Sequence, residues 1–348
     1  MLQPAPVGED PAPEEKELAR VSRYVERGPL RRVVETIFAR PETTIFLVCI
    51  GLIVYFSIRN TNFYSYTNVV TMAQYIGPIA VVGAGEVLLL DLAEIDLSAG
   101  QVLLTAPWFV IFLQHHMPLG WAIAASMLLC AAIGAFNGII VVSLKVPSFV
   151  ATLGMNYILA GYVLVASSDI ETDMTGTTGK FGSIFGISNW AEGLWSLGIV
   201  LIIWALLKGT RFGLHTTATG GNQLGAAEAG VRVRNVKILC FIIIAVICGF
   251  IGIIDSIRIG SLDPAAPGLN EMLAGVAAAV IGGTALTGGK ATVLGTLIGA
   301  VVLGVLEDGF NLIGISANWF ILVEGAVILA AMGINVQLGR VTARGARP

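Results

Sequence analysis

Long apolar runs separated by short polar stretches dominate the chain, at roughly 43–58, 68–90, 97–113, 119–144, 147–167, 191–207, 237–259, 271–287, 291–306 and 317–335. Most approach the ~20 residues a helix needs to cross a hydrocarbon layer about 30 Å thick. The ten-residue alternation of a transmembrane barrel is absent. The pattern predicts an all-α membrane protein, a polytopic helical bundle of about ten transmembrane helices. Near residues 95 and 285 the runs are interrupted by Gly, Asp, Ser and Thr, which predicts broken helices whose ends face a cavity.

Charge placement orients the bundle. Seven basic residues precede the first run, from Lys16 to Arg40, so the N-terminus is expected in the cytoplasm. With ten spans the outside loops hold only Arg59, Lys180 and Arg258, and every other Lys or Arg falls inside. Dropping one span would move part of the basic set outside, so N- and C-termini are both predicted cytoplasmic. The composition agrees: 55% of residues are hydrophobic, 12% are charged and mean hydropathy is +0.83, where a soluble domain carries roughly twice that charged fraction.

Three divisions follow. Residues 1–42 form a cytoplasmic tail. Within it, 1–13 are rich in proline and acid and are expected to be disordered, while 14–40 carry Val21, Tyr24, Val25, Val33, Val34, Ile37 and Phe38 at helical spacing among charges. That segment reads as an amphipathic helix on the membrane surface or as a partner-binding helix. Residues 43–336 form the membrane domain, and 337–348 a basic cytoplasmic tail. Two loops are long: 168–190, polar and predicted external, and 209–236, basic and predicted internal. In the second, Thr219–Asn222 has turn chemistry, Gln223–Ala229 favours a short helix, and Gly230 suits its stop.

The stretch GGTALTGGK, from Gly282 to Lys290, comes close to a phosphate-binding loop. The template GxxxxGK[ST] requires glycine where Thr284 stands and a hydroxyl where Ala291 stands, between a strand and a helix rather than between two spans. No nucleotide site is expected there. EIDLSAG (Glu94–Gly100) and GTALTGG (Gly283–Gly289) echo each other, each between two apolar runs. The four cysteines, Cys49, Cys130, Cys240 and Cys248, lie in apolar runs and read as small buried hydrophobes. His115 and His116 read as an interfacial polar pair rather than a metal site. Catalytic templates are missing, so no enzyme, no metal and no nucleic-acid partner is expected.

Polar groups at membrane depth remain. Ionisable residues there mark a pathway or a buried pair. The candidates are Gln74, Glu86, Glu94, Asp96, Ser98, Asn137, Asn156, Asn311 and Glu324. Asn137 and Asn156 fit helix–helix hydrogen bonds equally well, and Glu307 and Asp308, near a span end, fit simple solvation. Glycine is abundant at Gly83-Ala84-Gly85 and from Gly275 through Gly304, which permits close helix approach.

Four stretches together resemble the permease subunit of ribose-type monosaccharide ABC importers: IDLSAG (Ile95–Gly100), VPSFVATLG (Val146–Gly154), GGNQLGAAEAGVRVRNVKI (Gly220–Ile238) and AAVIGGTALTGGKATVLGTLIGA (Ala278–Ala300). Order and spacing match over about residues 45–335. The resemblance implies a plasma-membrane chain that binds no cofactor itself. Its partners would be a second permease chain, identical or paralogous, cytoplasmic ATP-binding subunits holding ATP and Mg, an extracytoplasmic sugar-binding protein and the lipid bilayer. It also implies that the 209–236 loop couples to the ATPase through Asn222, Gln223, Leu224, Ala226, Ala227, Glu228, Gly230 and Val231. In that family two glycines precede the Ile-Asp-Leu-Ser stretch, where this chain has Ala93 and Glu94. The extra carboxylate is expected to alter the substrate pathway, so the identity of the sugar does not carry over. A rival reading is an ion-coupled secondary transporter using Glu86 or Glu324, and a further one is a membrane scaffold or receptor without flux.

Overall fold

The computed structural model describes residues 41–175, 179–266 and 268–316, with 319, 322–326, 329 and 333. The segment over 1–40, the basic tail over 337–348 and most of the tenth apolar run lie outside the described residues, as does the predicted placement of both termini.

Each of the other nine runs forms a helix. These are α1 (Pro41–Arg59), α2 (Tyr66–Asp91), α3 (Ala99–Gln114), α4 (Leu119–Leu144), α5 (Ser148–Ser167), α6 (Ala191–Gly209), α9 (Val233–Ile259), α10 (Gly268–Ile281) and α11 (Val293–Leu312). Between α6 and α9 run two shorter helices, α7 (Arg211–Gly221) and α8 (Gln223–Glu228). Strands β1 (Thr172–Asp173) and β2 (Ser261–Leu262) pair antiparallel, with Thr172 opposite Leu262, and tie the 168–190 loop to the end of α9. Among the described residues, six helices, α2, α4, α5, α6, α9 and α11, are long and apolar enough to cross a membrane.

Helix α2 lies at the centre, buried without a break from Ile79 to Asp91. Its neighbours are α6, α9, α10 and α11. Close approach depends on small residues. A Cβ on Gly134 of α4 would run into the Phe241 carbonyl of α9, so the two backbones meet there directly. On the outside, α5 presents Val165, Tyr157 and Ile158 fully or largely exposed. Such a stripe is costly in water and ordinary against lipid chains.

Two helices are short. At 1.5 Å per residue, the 16 residues of α3 reach about 24 Å and the 14 of α10 about 21 Å, less than a bilayer core. After α2 ends, residues 92–98 climb back along it, because the Asp96 N–H donates to the Glu86 carboxylate at 3.3 Å. Helix α3 therefore starts within the thickness of the bundle rather than at its rim. The second break, 282–292, joins α10 to α11. All four cysteines are buried and free.

Candidate functional site

The first break gathers one set of the predicted polar residues. Asp96 Oδ1 accepts from the Ser98 N–H at 2.9 Å and from the Ser98 hydroxyl at 2.6 Å. The Asn137 amide donates to Ser98 Oγ at 2.8 Å and to Asp96 Oδ2 at 3.4 Å. Two hydroxyls from α5 complete the clasp: Ser148 accepts from the Ile95 N–H at 3.1 Å and Thr152 from the Leu97 N–H at 3.0 Å. Glu86, Asp96, Ser98 and Asn137 are all buried. The cluster answers the backbone donors that a broken helix leaves without partners, and it has no opening. Asn156, one helical turn beyond Thr152, is buried with its Oδ1 unpaired in the protein.

Glu94 points elsewhere. Its carboxylate receives the Lys237 ammonium at 2.6 Å, with both side chains largely covered. The pair lines a cleft of about 410 Å³ together with Lys145, Pro147 and Gln223, on the side predicted cytoplasmic. The structure thus sets Glu94, a residue the sequence suggests for the pathway, beside the 209–236 loop.

A second cavity, of about 290 Å³, opens toward the predicted external end. Its walls come from α2 (Gln74, Tyr75, Pro78), α3 (Leu103, Leu104), the end of α9 (Asp255, Arg258) and the start of α10 (Gly268, Glu271), with β2 and Glu171 beside them. Pro78 and Pro107 lie inside α2 and α3. A proline removes the donor that would reach the carbonyl four residues earlier, so the Gln74 and Leu103 carbonyls lose their helical partners at this wall. Arg258 is held by Glu192 of α6 at 2.5 Å and by Asp255 at 2.5 Å. Glu271 lies within Coulombic range of Asp255, Glu307 and Glu324. The cavity is therefore rich in hydrogen-bond acceptors and carries an excess of carboxylates.

Of the residues singled out in the sequence, only Gln74 lines this cavity. Glu324 stands beside its acidic rim and Asn311 is exposed at the end of α11. Asp255, Arg258 and Glu271 were missed. Their signal was available: an acid and a base three residues apart where an apolar run ends, and an acid at the start of another. It was indistinguishable from ordinary charges at span ends until three helices were brought together.

On the opposite side, α7 and α8 fill the 209–236 loop. The predicted short helix is present as Gln223–Glu228. The predicted turn over Thr219–Asn222 is instead the last turn of α7, and the chain breaks only at Asn222, whose side chain accepts from the Gly225 N–H at 2.9 Å. Gly230, at φ +87°, ends the segment in the left-handed conformation that suits glycine. Asn222, Gln223, Ala227, Glu228 and Gly230 are exposed, Val231 is half-buried, and Ala226 anchors the helix inward. Leu224 stands 79% exposed at its tip.

The loop Gly282–Lys290 has no free cradle of N–H groups. The Gly289 N–H donates to the Asp91 carbonyl at 2.9 Å and the Ala285 N–H to the Lys290 carbonyl at 3.0 Å.

Comparison with known proteins places these features in context. The family model described as the permease component of branched-chain amino acid transport systems matches residues 68–332. The ribose import permease of Escherichia coli strain K12 is 36% identical over 296 residues, covering 82% of this chain and 92% of that one. The xylose/arabinose import permease of Sulfolobus acidocaldarius is 32% identical over 309 residues, 86% of each chain. The fructose import permease of Rhizobium meliloti is 29% identical over 316 residues, again 86% of each. No solved structure matches the chain.

Proposed function

The chain belongs to this family of multi-pass ABC-importer permeases, and from that premise we propose that it moves a monosaccharide from the α2–α3–α9–α10 cavity toward the cytoplasm, driven by a separate ATPase docked on α8. A permease subunit of this kind does not itself catalyse a reaction. The expected partners are a second permease chain, an ATP-binding subunit carrying ATP and Mg, and an external protein that delivers the sugar. Family membership sets aside the ion-coupled and scaffold readings.

One observation carries the sugar assignment to the cavity: half-helix α10 begins inside it, with Gly268 and Glu271 in the wall. Transporters of several folds place substrate where a discontinuous helix ends. The chemistry suits a polyhydroxylated, uncharged ligand. Carboxylates of Asp255 and Glu271, the Gln74 amide and two carbonyls without helical donors accept from hydroxyls, and Tyr75 offers an apolar ring face. The excess of carboxylates disfavours sugar acids and sugar phosphates. A cavity open to solvent fits brief occupancy rather than storage. The ribose, xylose and fructose named for the relatives are the first substrates to try.

The exposed α8, with Leu224 at its tip, supplies a small apolar knob on a basic surface, which suits insertion into a groove of the ATPase. The test is uptake of labelled ribose or xylose into vesicles holding the permease with its co-purifying ATPase and binding protein. Uptake is expected to need ATP and to persist with an ionophore present. Deleting Gln223–Glu228 is expected to leave a folded permease that no longer retains the ATPase. Uptake collapsed by an ionophore and independent of ATP would overturn the reading.

A further inference from the structure

Three separate parts of the chain meet at one point on the cytoplasmic side, with almost no space between them. The first is the end of α2, at Asp91. The second is the end of α7, at Gly220 and Gly221, one residue before the docking helix. The third is the second break, at Gly288 and Gly289. The Gly289 N–H donates to the Asp91 carbonyl at 2.9 Å. A Cβ on Gly220 would collide with that same carbonyl oxygen and stand 2.8 Å from the Gly289 nitrogen. A Cβ on Gly289 would stand 2.9 Å from the Gly221 Cα, and one on Gly288 would stand 2.9 Å from the Gly220 carbonyl oxygen. Backbone rests on backbone at every contact.

One side chain crosses this joint. Asp91 is fully buried, and its Oδ2 accepts from the Thr217 hydroxyl of α7 at 2.7 Å. Its Oδ1 has no partner in the protein. A buried carboxylate whose one hydrogen bond comes from a hydroxyl, with Lys208 within Coulombic range, is costly to maintain, and packing alone does not explain it.

We propose that Asp91 and Thr217, resting on the glycine contacts of Gly220 and Gly289, form the joint that transmits movement of the docking helix to the second helix break. A shift of α8 pulls α7, which packs on α6 and α9 and is also fastened to the end of α2 and to the 282–292 loop. The second break then moves against the first, and it leads to α10, whose far end at Gly268 lines the external cavity. Asp91 and Thr217 are positioning residues, since neither touches substrate or nucleotide. The glycines let the parts slide, because no side chain interlocks them, and the hydrogen bond keeps them in register.

This proposal rests on α8 as the ATPase-docking element, and the test separates the two. The complete transporter is assembled with Thr217→Val, Thr217→Ser, Asp91→Asn and Gly220→Ala permeases. Retention of the ATPase, ATP hydrolysis, sugar uptake and thermal unfolding are followed for each. Thr217→Val and Asp91→Asn are expected to retain the ATPase and to hydrolyse ATP within about twofold of the parent, while sugar moved per ATP falls about tenfold. Thr217→Ser, which keeps the hydroxyl, is expected to restore it. Gly220→Ala, which forces the parts apart, is expected to uncouple most. Unchanged sugar moved per ATP in Thr217→Val overturns the joint. So does a loss of uptake that simply tracks a lowered unfolding temperature across the variants, since that marks a purely structural contact. Failure of the parent complex to transport with ATP would instead refute the docking reading itself.

Discussion

The two helix breaks solve the same problem with different materials. The first, over 92–98, is fastened by side chains drawn from three helices: Glu86 from α2, Asn137 from α4, and Ser148 and Thr152 from α5. The second, over 282–292, is closed by its own backbone and two threonines. The Thr292 hydroxyl donates to the Gly282 carbonyl at 2.6 Å, the Thr292 N–H donates to Thr284 Oγ1 at 3.2 Å, and Gly283, Gly288 and Gly289 all take positive φ. The first is buried apart from its Ala93–Ile95 entry, whereas residues 285–290 of the second are half-buried or exposed. A break tied to several helices holds its place while they hold theirs. A break closed within its own loop can pivot. The difference assigns the first as the fixed floor of the pathway and the second as its moving part.

The sharpest way to break that contrast is to cut the first clasp. Asp96→Ala removes the acceptor shared by Ser98 and Asn137, leaving the buried Ser98 N–H and hydroxyl without it and Asn137 with Ser98 Oγ alone. Each such group costs about 1–3 kcal/mol in a protein interior, and less where membrane helices find substitutes. A destabilisation of roughly 3 kcal/mol is expected, read as a markedly lower unfolding temperature in detergent. Asp96→Asn, which keeps one acceptor oxygen, should lose less. Equal stability of all three proteins would show that the clasp is not what fixes the floor.

The second break should respond differently. Gly288→Ala places a side chain at φ +84°, which costs about 1–2 kcal/mol for an L-residue, and sets its Cβ 3.1 Å from the Asp91 carbonyl oxygen. Stability should fall less than in Asp96→Ala, but sugar uptake should fall more steeply than stability does. If uptake instead follows unfolding temperature along the same line in both variants, the division into fixed and moving breaks is wrong.

Much of this fold was legible before any coordinates. Apolar runs located nine helices because a span must be long and continuous, and the interruptions near 95 and 285 located both breaks. Asn222 and Gly230 bounded α8 through local cap chemistry, which depends on neighbours in sequence. The turn over Thr219–Asn222 was misplaced because Gly220-Gly221 reads locally as a stop, whereas α7 is held helical by its packing on Asp91. The cavity was the least legible part. Gln74, Asp255 and Glu271 come from three helices, and no periodicity joins them. The partner of Glu94 was equally illegible, because nothing local reveals Lys237, 143 positions away.

That pair leads to the smallest and finest test. In the resembling permeases two glycines stand where this chain has Ala93 and Glu94. Ala93 sits at φ +57°, a left-handed conformation that a glycine adopts without strain. Ala93→Gly should therefore stabilise the chain, by about 1 kcal/mol less the extra freedom glycine gains when unfolded. Glu94→Gly should do the reverse, removing an ion pair whose side chains are both largely covered, at a cost of about 1 kcal/mol. The two together should come out close to the parent protein. Salt distinguishes the causes. Raising ionic strength weakens the Glu94–Lys237 attraction, so the gap between parent and Glu94→Gly should narrow in high salt, while the gain from Ala93→Gly, a matter of backbone geometry, should not change. A Glu94→Gly effect that ignores salt would mean that the carboxylate acts through packing at the 410 Å³ cleft rather than through Lys237. The first break would then owe its rigidity on this side to shape and not to charge.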